Sequence, residues 1–179
     1  MRKLKLDELN RATVEEFKKA EKTPLRIVLD NIRSAHNVGS IFRTCDGLAI
    51  EHLYLCGITA KPPHKEITKA AIGATHSVDW SYHANILQLV ENLKADGHLI
   101  VGVEQTDSSV DLDKFEFNIL KDRKTILILG NEVEGLSDQI LPLLDFAIEI
   151  PQYGTKHSFN VAVCAGMVMW SFTSYLRNE

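Results

Sequence analysis

Short apolar runs alternate with amphipathic segments along most of the 179-residue chain. The runs rich in Leu, Ile and Val predict strands, and the segments with apolar residues at helical spacing predict helices. The predicted strands cover residues 25–29, 53–56, 77–80, 99–103, 125–129 and 146–150. The predicted helices cover residues 37–48, 65–72, 84–94 and 158 to about 176. This alternation predicts an α/β fold, in which a mainly parallel sheet carries helices on both faces.

Residues 1–24 precede the alternating pattern. Thr13 followed by Glu16 matches a capping box, which predicts a short helix that continues to about Lys22. Pro24 then ends the helical pattern before the first predicted strand. We therefore divide the chain into an N-terminal helical extension, residues 1–24, and a single domain, residues 25–179, that is long enough to bury its own core.

The last predicted helix is apolar on nearly every side. Its large apolar side chains are Val161, Val163, Met167, Val168, Met169, Trp170, Phe172 and Tyr175. One face of such a helix packs against the sheet, and the remaining apolar surface needs a second contact. That contact is either a partner subunit or the interior of the same monomer.

Composition argues against a membrane protein and against a disulfide-stabilised one. The longest apolar stretch, residues 161–170, is about half the length of a membrane span, and no apolar segment follows the charged N-terminus as in a signal peptide. Cys45, Cys56 and Cys164 lie in or beside apolar runs without C-x-x-C spacing, which predicts buried thiols and no metal site. We expect a cytoplasmic protein that contacts no membrane.

The formal net charge of −4 argues against a general nucleic-acid coat protein, because such proteins carry a strong basic excess. Two segments are nevertheless locally basic. The first holds Arg2, Lys3, Lys5, Arg11, Lys18, Lys19 and Lys22, and the second holds Lys61, Lys65 and Lys69. Each segment is either a patch that binds nucleic acid or an ordinary solvated surface.

The most distinctive segment is the one in which the strand at residues 125–129 ends in an acidic loop bounded by Gly130 and Gly135. Glycine permits positive φ or close approach of the backbone to a ligand. The spacing matches the start of a phosphate-binding loop, but Leu136 replaces the lysine, and Glu132 and Glu134 would repel a triphosphate. The chain also has no G-x-G-x-x-G motif. A cationic or neutral nucleoside-like ligand fits this loop better.

Three polar segments follow predicted strands: residues 30–43, the loop at residues 130–135, and residues 151–160. Strands of one parallel sheet present their carboxyl ends at the same edge, so these segments are expected to meet. In the first, the helix start near Asn37 and the guanidinium of Arg43 could bind an anion together. In the third, Ser158 and Asn160 either contribute to a site or only cap the final helix, for which Ser158 is a good N-cap.

Together these segments closely resemble the three motifs of SpoU (TrmH)-type RNA ribose 2′-O-methyltransferases of the SPOUT superfamily. Residues 37–44 read Asn-Val-Gly-Ser-Ile-Phe-Arg-Thr, residues 129–136 read Leu-Gly-Asn-Glu-Val-Glu-Gly-Leu, and Ile-Pro at 150–151 is followed by Ser-Phe-Asn-Val at 158–161. The resemblance implies the SPOUT fold with a C-terminal trefoil knot, binding of S-adenosylmethionine, and a homodimer with its sites near the interface.

The resemblance also implies roles for individual residues. Those expected to bind the methyl donor are Leu129, Gly130, Gly135, Ile150 and Phe159, with Gln105 and Thr106 as further candidates. Those expected to act in catalysis are Arg43, Asn37, Glu132, Ser158 and Asn160. Those expected to bind RNA are Arg43, which matches the family's arginine, and four further cations that the polar and locally basic segments supply, Arg33, Lys61, Lys65 and Lys156. Phe159 stands where the family usually has leucine, and Ala162 where serine is common, and neither change removes a group that the chemistry requires.

The implied reaction transfers the methyl group of S-adenosylmethionine to a ribose 2′-hydroxyl of RNA. Catalysis then requires alignment of the oxygen with the methyl carbon and removal of the hydroxyl proton. Arg43 is a poor general base because a guanidinium stays protonated. We prefer a role in which Arg43 grips a substrate phosphate and stabilises the developing alkoxide, with the proton acceptor left open.

Other functions remain in competition with methyl transfer. One is a SPOUT-fold RNA-binding or assembly factor without activity, although the polar motif residues are intact. A nucleotide-dependent oxidoreductase or ATPase lacks its glycine and lysine motifs here. Many larger relatives carry a separate RNA-binding domain before the catalytic one, and the short segment before the first strand therefore favours tRNA over rRNA as the substrate.

Overall fold

The computed structural model describes residues 1–178, with the side chains of Leu6 and Asp7 excepted. Within these residues seven strands form one sheet, in the order β3-β2-β1-β6-β4-β7-β5, and every neighbouring pair is parallel. The strands are β1 Thr23–Asp30, β2 Ile50–Cys56, β3 Trp80–His83, β4 Leu99–Val103, β5 Val110–Asp111, β6 Thr125–Leu129 and β7 Phe146–Glu149. The predicted parallel sheet is confirmed.

Helices cover both faces of the sheet, as predicted. The α-helices are α1 Val14–Lys19, α2 Ala35–Gly47, α3 Lys65–Ala71, α4 Ala74–Ser77, α5 Ile86–Ala95 and α6 Val161–Leu176. Short 3-10 helices cover Leu6–Leu9, Leu112–Lys114, Phe117–Leu120 and Leu141–Leu143. Helices α2, α3, α4 and α6 contribute to one apolar core cluster, and α5 contributes to a second cluster with the segment after β6.

The alternation of side chains along the strands divides the core between these two clusters. Leu127 and Leu129 of β6 belong to the cluster that contains α2 and α6, whereas Ile126 and Ile128 belong to the cluster that contains α5. All four side chains are buried. A strand buried on both faces reads as a continuous apolar run, which is why β6 was predicted at its full length.

One predicted strand needs correction, and one strand was not predicted. The strand predicted at residues 77–80 is wrong, because residues 74–77 form α4 and the strand is β3, displaced toward the C-terminus. Gly73, at φ +88°, starts the extra helical turn, and the register of β3 is set by pairing of Trp80 with Leu53 of β2. Strand β5 was missed because its two residues carry no pattern of their own and are ordered by pairing with β7.

Helix starts also differ from the prediction. Helix α2 begins at Ala35, because the Ser34 side chain accepts a hydrogen bond from the Asn37 backbone and caps it. Helix α6 begins at Val161 and not at Ser158, because the Asn160 side chain accepts hydrogen bonds from the backbone N–H groups of Ala162 and Val163. Ser158 is therefore not the N-cap, and it lies in the loop that precedes α6.

The N-terminal helix is confirmed as α1, with reciprocal capping between Thr13 and Glu16 at 2.8 Å and 3.2 Å. The helix ends at Lys19, before the predicted Lys22, and β1 begins at Thr23. Thr23 and Pro24 therefore belong to the sheet, and the division of the chain near residue 24 otherwise stays a prediction. None of the helices in residues 1–178 is long and apolar enough to cross a membrane.

Candidate active site

A cavity of about 510 Å³ opens at the carboxyl ends of β4, β6 and β7, which are neighbours in the sheet. Its walls come from the ends of these strands, from the loop after β6, and from the segment that leads from β7 into α6. Loops at the carboxyl edge of a parallel sheet are where ligands of open α/β proteins bind. The sheet order therefore brings the second and third polar segments together.

The loop at residues 130–135 folds back on itself at one side of this cavity. Asn131 and Gly135 exchange backbone hydrogen bonds of 2.9 Å and 3.1 Å, and the Asn131 side chain accepts from Val133 N and Glu134 N, both at 2.9 Å. A Cβ on Gly130 would lie 2.2 Å from the carbonyl carbon of Gly135. Gly135 itself has φ +72°. Gly130 is thus required for close backbone approach, and Gly135 for its conformation.

Glu104, the first residue after β4, fixes this loop from the other side. Its carboxylate accepts hydrogen bonds from Leu136 N at 2.8 Å and from Gln105 N at 3.0 Å. A Cβ on Gly135 would lie 2.1 Å from Glu104 Oε2, which is a second reason for glycine there. Glu104 lines the cavity and was missed from the sequence, where only its position directly after a strand could have indicated it.

Glu132 joins the three polar segments. Its carboxylate accepts hydrogen bonds from Arg33 N at 3.0 Å, Ser34 N at 3.2 Å and Asn37 Nδ2 at 2.8 Å. Asn37 Oδ1 in turn accepts from Asn160 Nδ2 at 3.2 Å. One residue from each motif therefore takes part in a continuous network, which we call the Glu132–Asn37–Asn160 network.

A second network ties β1 to the same loop. Asp30 is fully buried, and its carboxylate accepts from Ser137 N at 2.7 Å, Ser137 Oγ at 3.0 Å and Asn31 Nδ2 at 2.7 Å. Asn31 Oδ1 accepts a hydrogen bond at 3.0 Å from the backbone N–H of Ile58, which lies just after β2. The contacts between Asp30 and Ser137 were also missed from the sequence, because they join residues that are 107 positions apart.

The hydrogen bonds at Glu132 decide its protonation. Partial burial alone would raise the pKa of the Glu132 carboxyl, but the hydrogen bonds from Arg33, Asn37 and Ser34 outweigh burial and hold the pKa below its ordinary value. Glu132 is thus a carboxylate at neutral pH, and it can accept all three N–H groups at once. Cys164, another residue of the cavity wall, has a pKa raised to about 11 by burial and by Glu104, so its thiol stays protonated.

This lowered pKa predicts a pH-dependent stability. Because the folded-state pKa lies below the unfolded one, the contribution of Glu132 is fully present above about pH 5 and is lost as the pH falls below about 4.3. In Glu132→Gln the amide cannot accept three N–H groups, so the variant should be less stable at neutral pH, with a difference that shrinks in acid. Urea unfolding of both proteins from about pH 3 to about pH 7 measures this difference.

The matched control is Glu134→Gln, in the same loop, because the Glu134 carboxylate makes no hydrogen bond within residues 1–178. This control should follow the wild type at every pH. A difference between wild type and Glu132→Gln that grew on acidification would contradict the proposed role of the carboxylate.

Comparison with known proteins places this arrangement in a family. A model described as the SpoU rRNA Methylase family matches residues 24–170. The chain belongs to the SpoU methylase family.

Relatives of this SpoU methylase cover most of its length. It is 32% identical over 152 residues to the tRNA (guanosine(18)-2′-O)-methyltransferase of Aquifex aeolicus, covering 82% of this chain and 67% of that protein. It is 27% identical over 169 residues to the protein of the same name from Borreliella burgdorferi, covering 94% and 75%.

Solved structures agree with the sequence relatives. The A. aeolicus TrmH/SpoU tRNA modifying enzyme has a TM-score of 0.80 at 25% identity, covering 92% of this chain and 83% of that one. The AdoMet-bound rRNA methyltransferase from Sinorhizobium meliloti has a TM-score of 0.79 at 25% identity, covering 89% and 60%. The α/β fold of the SpoU methylases is therefore the fold of this chain.

In this SpoU methylase, most residues predicted to bind the methyl donor line the cavity at the carboxyl ends of β4, β6 and β7. They are Gln105, Leu129, Gly130, Gly135, Ile150 and Phe159, joined there by Glu132, Ser158 and Asn160. Thr106 does not line this cavity. The turn after β4 is closed by Ser109, whose Oγ donates to Thr106 O at 2.9 Å, and this turn directs Thr106 into a neighbouring cavity with Asp107 and Ser108.

The cations predicted to bind RNA are spread more widely. Arg43 is exposed on α2 and lines a different cavity, between α2 and α3. The Lys61 ammonium lies 4.0 Å from the centre of the Tyr82 ring. Lys65 and Lys156 are exposed, as is Arg33, whose backbone N–H is used by Glu132. The structure therefore joins Asn37, Glu132 and Asn160 directly but leaves Arg43 outside the walls of the donor cavity.

The residues of the cavity fit S-adenosylmethionine. Four carboxylates line it, those of Glu104, Glu132, Glu134 and Glu149, together with apolar side chains such as Leu129, Ile150 and Phe159. A molecule with a sulfonium cation and a flat base suits such a mixture, whereas a polyphosphate does not. The two glycines let the loop take this shape, because a Cβ on Gly130 would meet the backbone of Gly135 and Leu136, and a Cβ on Gly135 would meet the Glu104 carboxylate.

Proposed function

We propose that this SpoU methylase transfers the methyl group of S-adenosylmethionine to a ribose 2′-hydroxyl of RNA, and that the RNA is a tRNA. The observation that carries the proposal is the Glu132–Asn37–Asn160 network, which joins all three motifs beside a glycine-bounded acidic cavity. An inactive RNA-binding factor would not need these polar residues at hydrogen-bonding distance around such a cavity.

The choice of tRNA rests on the relatives. The two tRNA methyltransferases described above and the tRNA modifying enzyme are spanned by this chain over 67% to 83% of their length. The S. meliloti rRNA methyltransferase is spanned over 60%. The chain thus resembles the tRNA enzymes over a larger share of their length, which supports tRNA as the substrate. We propose that the protein recognises this tRNA by its shape and its phosphates.

The donor would be held by the residues of the cavity walls. Gly130 and Gly135 offer backbone groups, Leu129, Ile150 and Phe159 offer apolar contacts, and the carboxylates attract a positive charge. When bound, the donor supplies an electrophilic methyl group attached to a sulfonium. The chain itself therefore has to position the ribose oxygen and to lower the cost of its developing negative charge.

Positioning falls to the polar residues of the motifs. Ser158 and Asn160 lie in the segment before α6 and line the cavity, and Asn37 is fixed between Glu132 and Asn160. Arg43, one and a half to two turns further along α2, binds a phosphate of the substrate and stabilises the alkoxide, while its guanidinium stays protonated. The proton acceptor is not assigned to any residue.

A homodimer is part of the proposal. Val163 and Trp170 of α6 are 54% and 64% exposed, which is unusual for a helix whose other face forms the core. Val133 and Phe159 line the donor cavity and are exposed, and Tyr153, in the segment between β7 and α6, is exposed as well. A second copy packed on α6 would cover this apolar surface and place the donor cavities near the interface.

The remaining features follow from the family. We expect the C-terminal part to form the trefoil knot, and we expect the protein to act in the cytoplasm. Arg33, Lys61, Lys65 and Lys156 are exposed and are proposed to contact RNA phosphates.

Mapping of ribose methylation in total RNA from cells with and without the gene tests the function. We expect one tRNA methylation to disappear, and the purified protein to restore it when S-adenosylmethionine is added. Loss of an rRNA methylation alone would contradict the choice of tRNA. If no methylation changed and calorimetry detected no binding of S-adenosylmethionine, the inactive RNA-binding factor would be the correct alternative.

A further inference from the structure

The cavity between α2 and α3 has a volume of about 550 Å³ and shares no lining residue with the donor cavity. On α2 it is lined by His36, Ser40, Arg43 and Thr44, and on the other side by Lys69, Ala70 and Ile72. The four α2 positions recur at helical spacing and share one face. The cavity is therefore a groove along α2 whose opposite wall is the end of α3.

Close packing of the two helices creates this groove. A Cβ on Gly39 would lie 2.6 Å from Ile67 O and 2.8 Å from Ala70 Cβ, so α2 and α3 touch at that point through the backbone. This contact brings Lys69, two residues after Ile67, to the same cavity as Arg43. With a larger residue at position 39 the two cations would be moved apart.

The charge in the groove is unbalanced. Arg43 and Lys69 are both exposed, and neither makes a hydrogen bond or an ion pair with any of residues 1–178. The hydroxyl groups of Ser40 and Thr44 donate to His36 O and Ser40 O within α2, at 3.0 Å and 3.1 Å. Two cations thus face one concave surface whose lining contains no carboxylate.

The groove also begins next to the proposed site of methyl transfer. Asn37, in the first turn of α2, belongs to the Glu132–Asn37–Asn160 network, and Arg43 follows six residues later. Six residues of α-helix advance by about 9 Å. An RNA strand whose ribose lies at the network can therefore extend its backbone along α2 into the groove.

We propose that this groove binds a phosphate group of the RNA backbone, with Lys69 acting beside Arg43 as a second cationic ligand. The guanidinium of Arg43 can grip a phosphate through two N–H groups, and Lys69 adds a point charge from the side of α3. This inference rests on the proposed function and adds a binding residue that the three motifs do not contain.

The test compares Lys69→Ala with Lys124→Ala. Lys124 is exposed and immediately precedes β6, at the amino edge of the sheet. The substitution Lys124→Ala therefore removes an equal charge at a position outside the groove. The probe is bulk tRNA from cells that lack the gene, in filter-binding and methyl-transfer assays. For Lys69→Ala we expect a Kd and KM raised about fivefold, kcat within about twofold, and a salt dependence of log Kd reduced by about 0.7 to 0.9.

Lys124→Ala should match the wild type in all four quantities, and Lys69→Arg should restore most of the lost binding. An unchanged salt dependence in Lys69→Ala, or an equal loss in Lys124→Ala, would overturn the phosphate site. Binding of S-adenosylmethionine by each variant, measured by calorimetry, shows that the donor cavity is intact. If the wild type itself methylated no RNA, the proposed function would fail, independently of any difference between the lysine variants.

Discussion

Arg43→Ala is expected to lower kcat for methyl transfer by about 1,000-fold while leaving the Kd for S-adenosylmethionine within about twofold of the wild type. The guanidinium is the one group of the first motif that can neutralise both a substrate phosphate and a developing alkoxide. Its side chain lines the groove between α2 and α3 and not the donor cavity, so its removal leaves the donor contacts in place. Single-turnover assays with bulk tRNA and calorimetry with the donor measure the two quantities separately.

Two further variants make the result specific. Arg43→Lys keeps the charge but not the planar fork, so it should retain only part of the activity. Arg123→Ala removes an exposed arginine just before β6, at the other edge of the sheet, and should not change kcat. Turnover retained by Arg43→Ala would contradict the role assigned to this residue, and lost donor binding would show that the variant disturbs the fold.

The central strands show what could be predicted from the sequence. Strands β4 and β6 have the predicted bounds, because a strand buried on both faces carries a continuous apolar run that local reasoning detects. Strand β5 and helix α4 have no such signal. Their few residues adopt these conformations only because β7 and the neighbouring helix α2 pack against them, and this packing is absent from any local pattern.

The residues of the candidate site also fall into two groups, those that could be predicted from the sequence and those that could not. The glycine-bounded loop, Glu132 and Asn160 could be identified from the resemblance to the family, since motif residues keep their order along the chain. Asp30 and Glu104 could not, because their partners Ser137 and Leu136 are brought to them only by the order of strands in the sheet.

Ser158 and Asn160 are both suitable N-caps for α6, and a tertiary contact decides which of them caps the helix. Both side chains are good N-caps, so local preference does not distinguish them. Asn160 Oδ1 caps α6 while its Nδ2 donates to Asn37 Oδ1, so one side chain satisfies the helix and the network together. This second partner favours Asn160 as the cap and leaves Ser158 in the wall of the donor cavity.

Gly130→Ala is expected to weaken binding of S-adenosylmethionine by about 100-fold or more. The added Cβ would lie 2.2 Å from Gly135 C, 2.3 Å from Leu136 N and 2.4 Å from Gly135 O, all of them backbone atoms that cannot rotate away. The loop then has to open, which breaks the paired hydrogen bonds between Asn131 and Gly135 and moves one wall of the cavity. Calorimetric titration with the donor measures the loss, and thermal unfolding shows whether the variant still folds.

The chain offers a matched control in Gly154→Ala. Gly154 lies in the segment between β7 and α6, and its added Cβ would meet no atom within 4 Å, so donor binding should stay near that of the wild type. Gly130→Ala should also keep its affinity for bulk tRNA, because the groove between α2 and α3 is built from other residues. Normal donor binding by Gly130→Ala would show that the loop does not form the donor site. Loss of donor binding with tRNA binding retained in Gly130→Ala, together with weakened tRNA binding and retained donor binding in Lys69→Ala, would establish that donor and RNA are held by physically separate parts of one site.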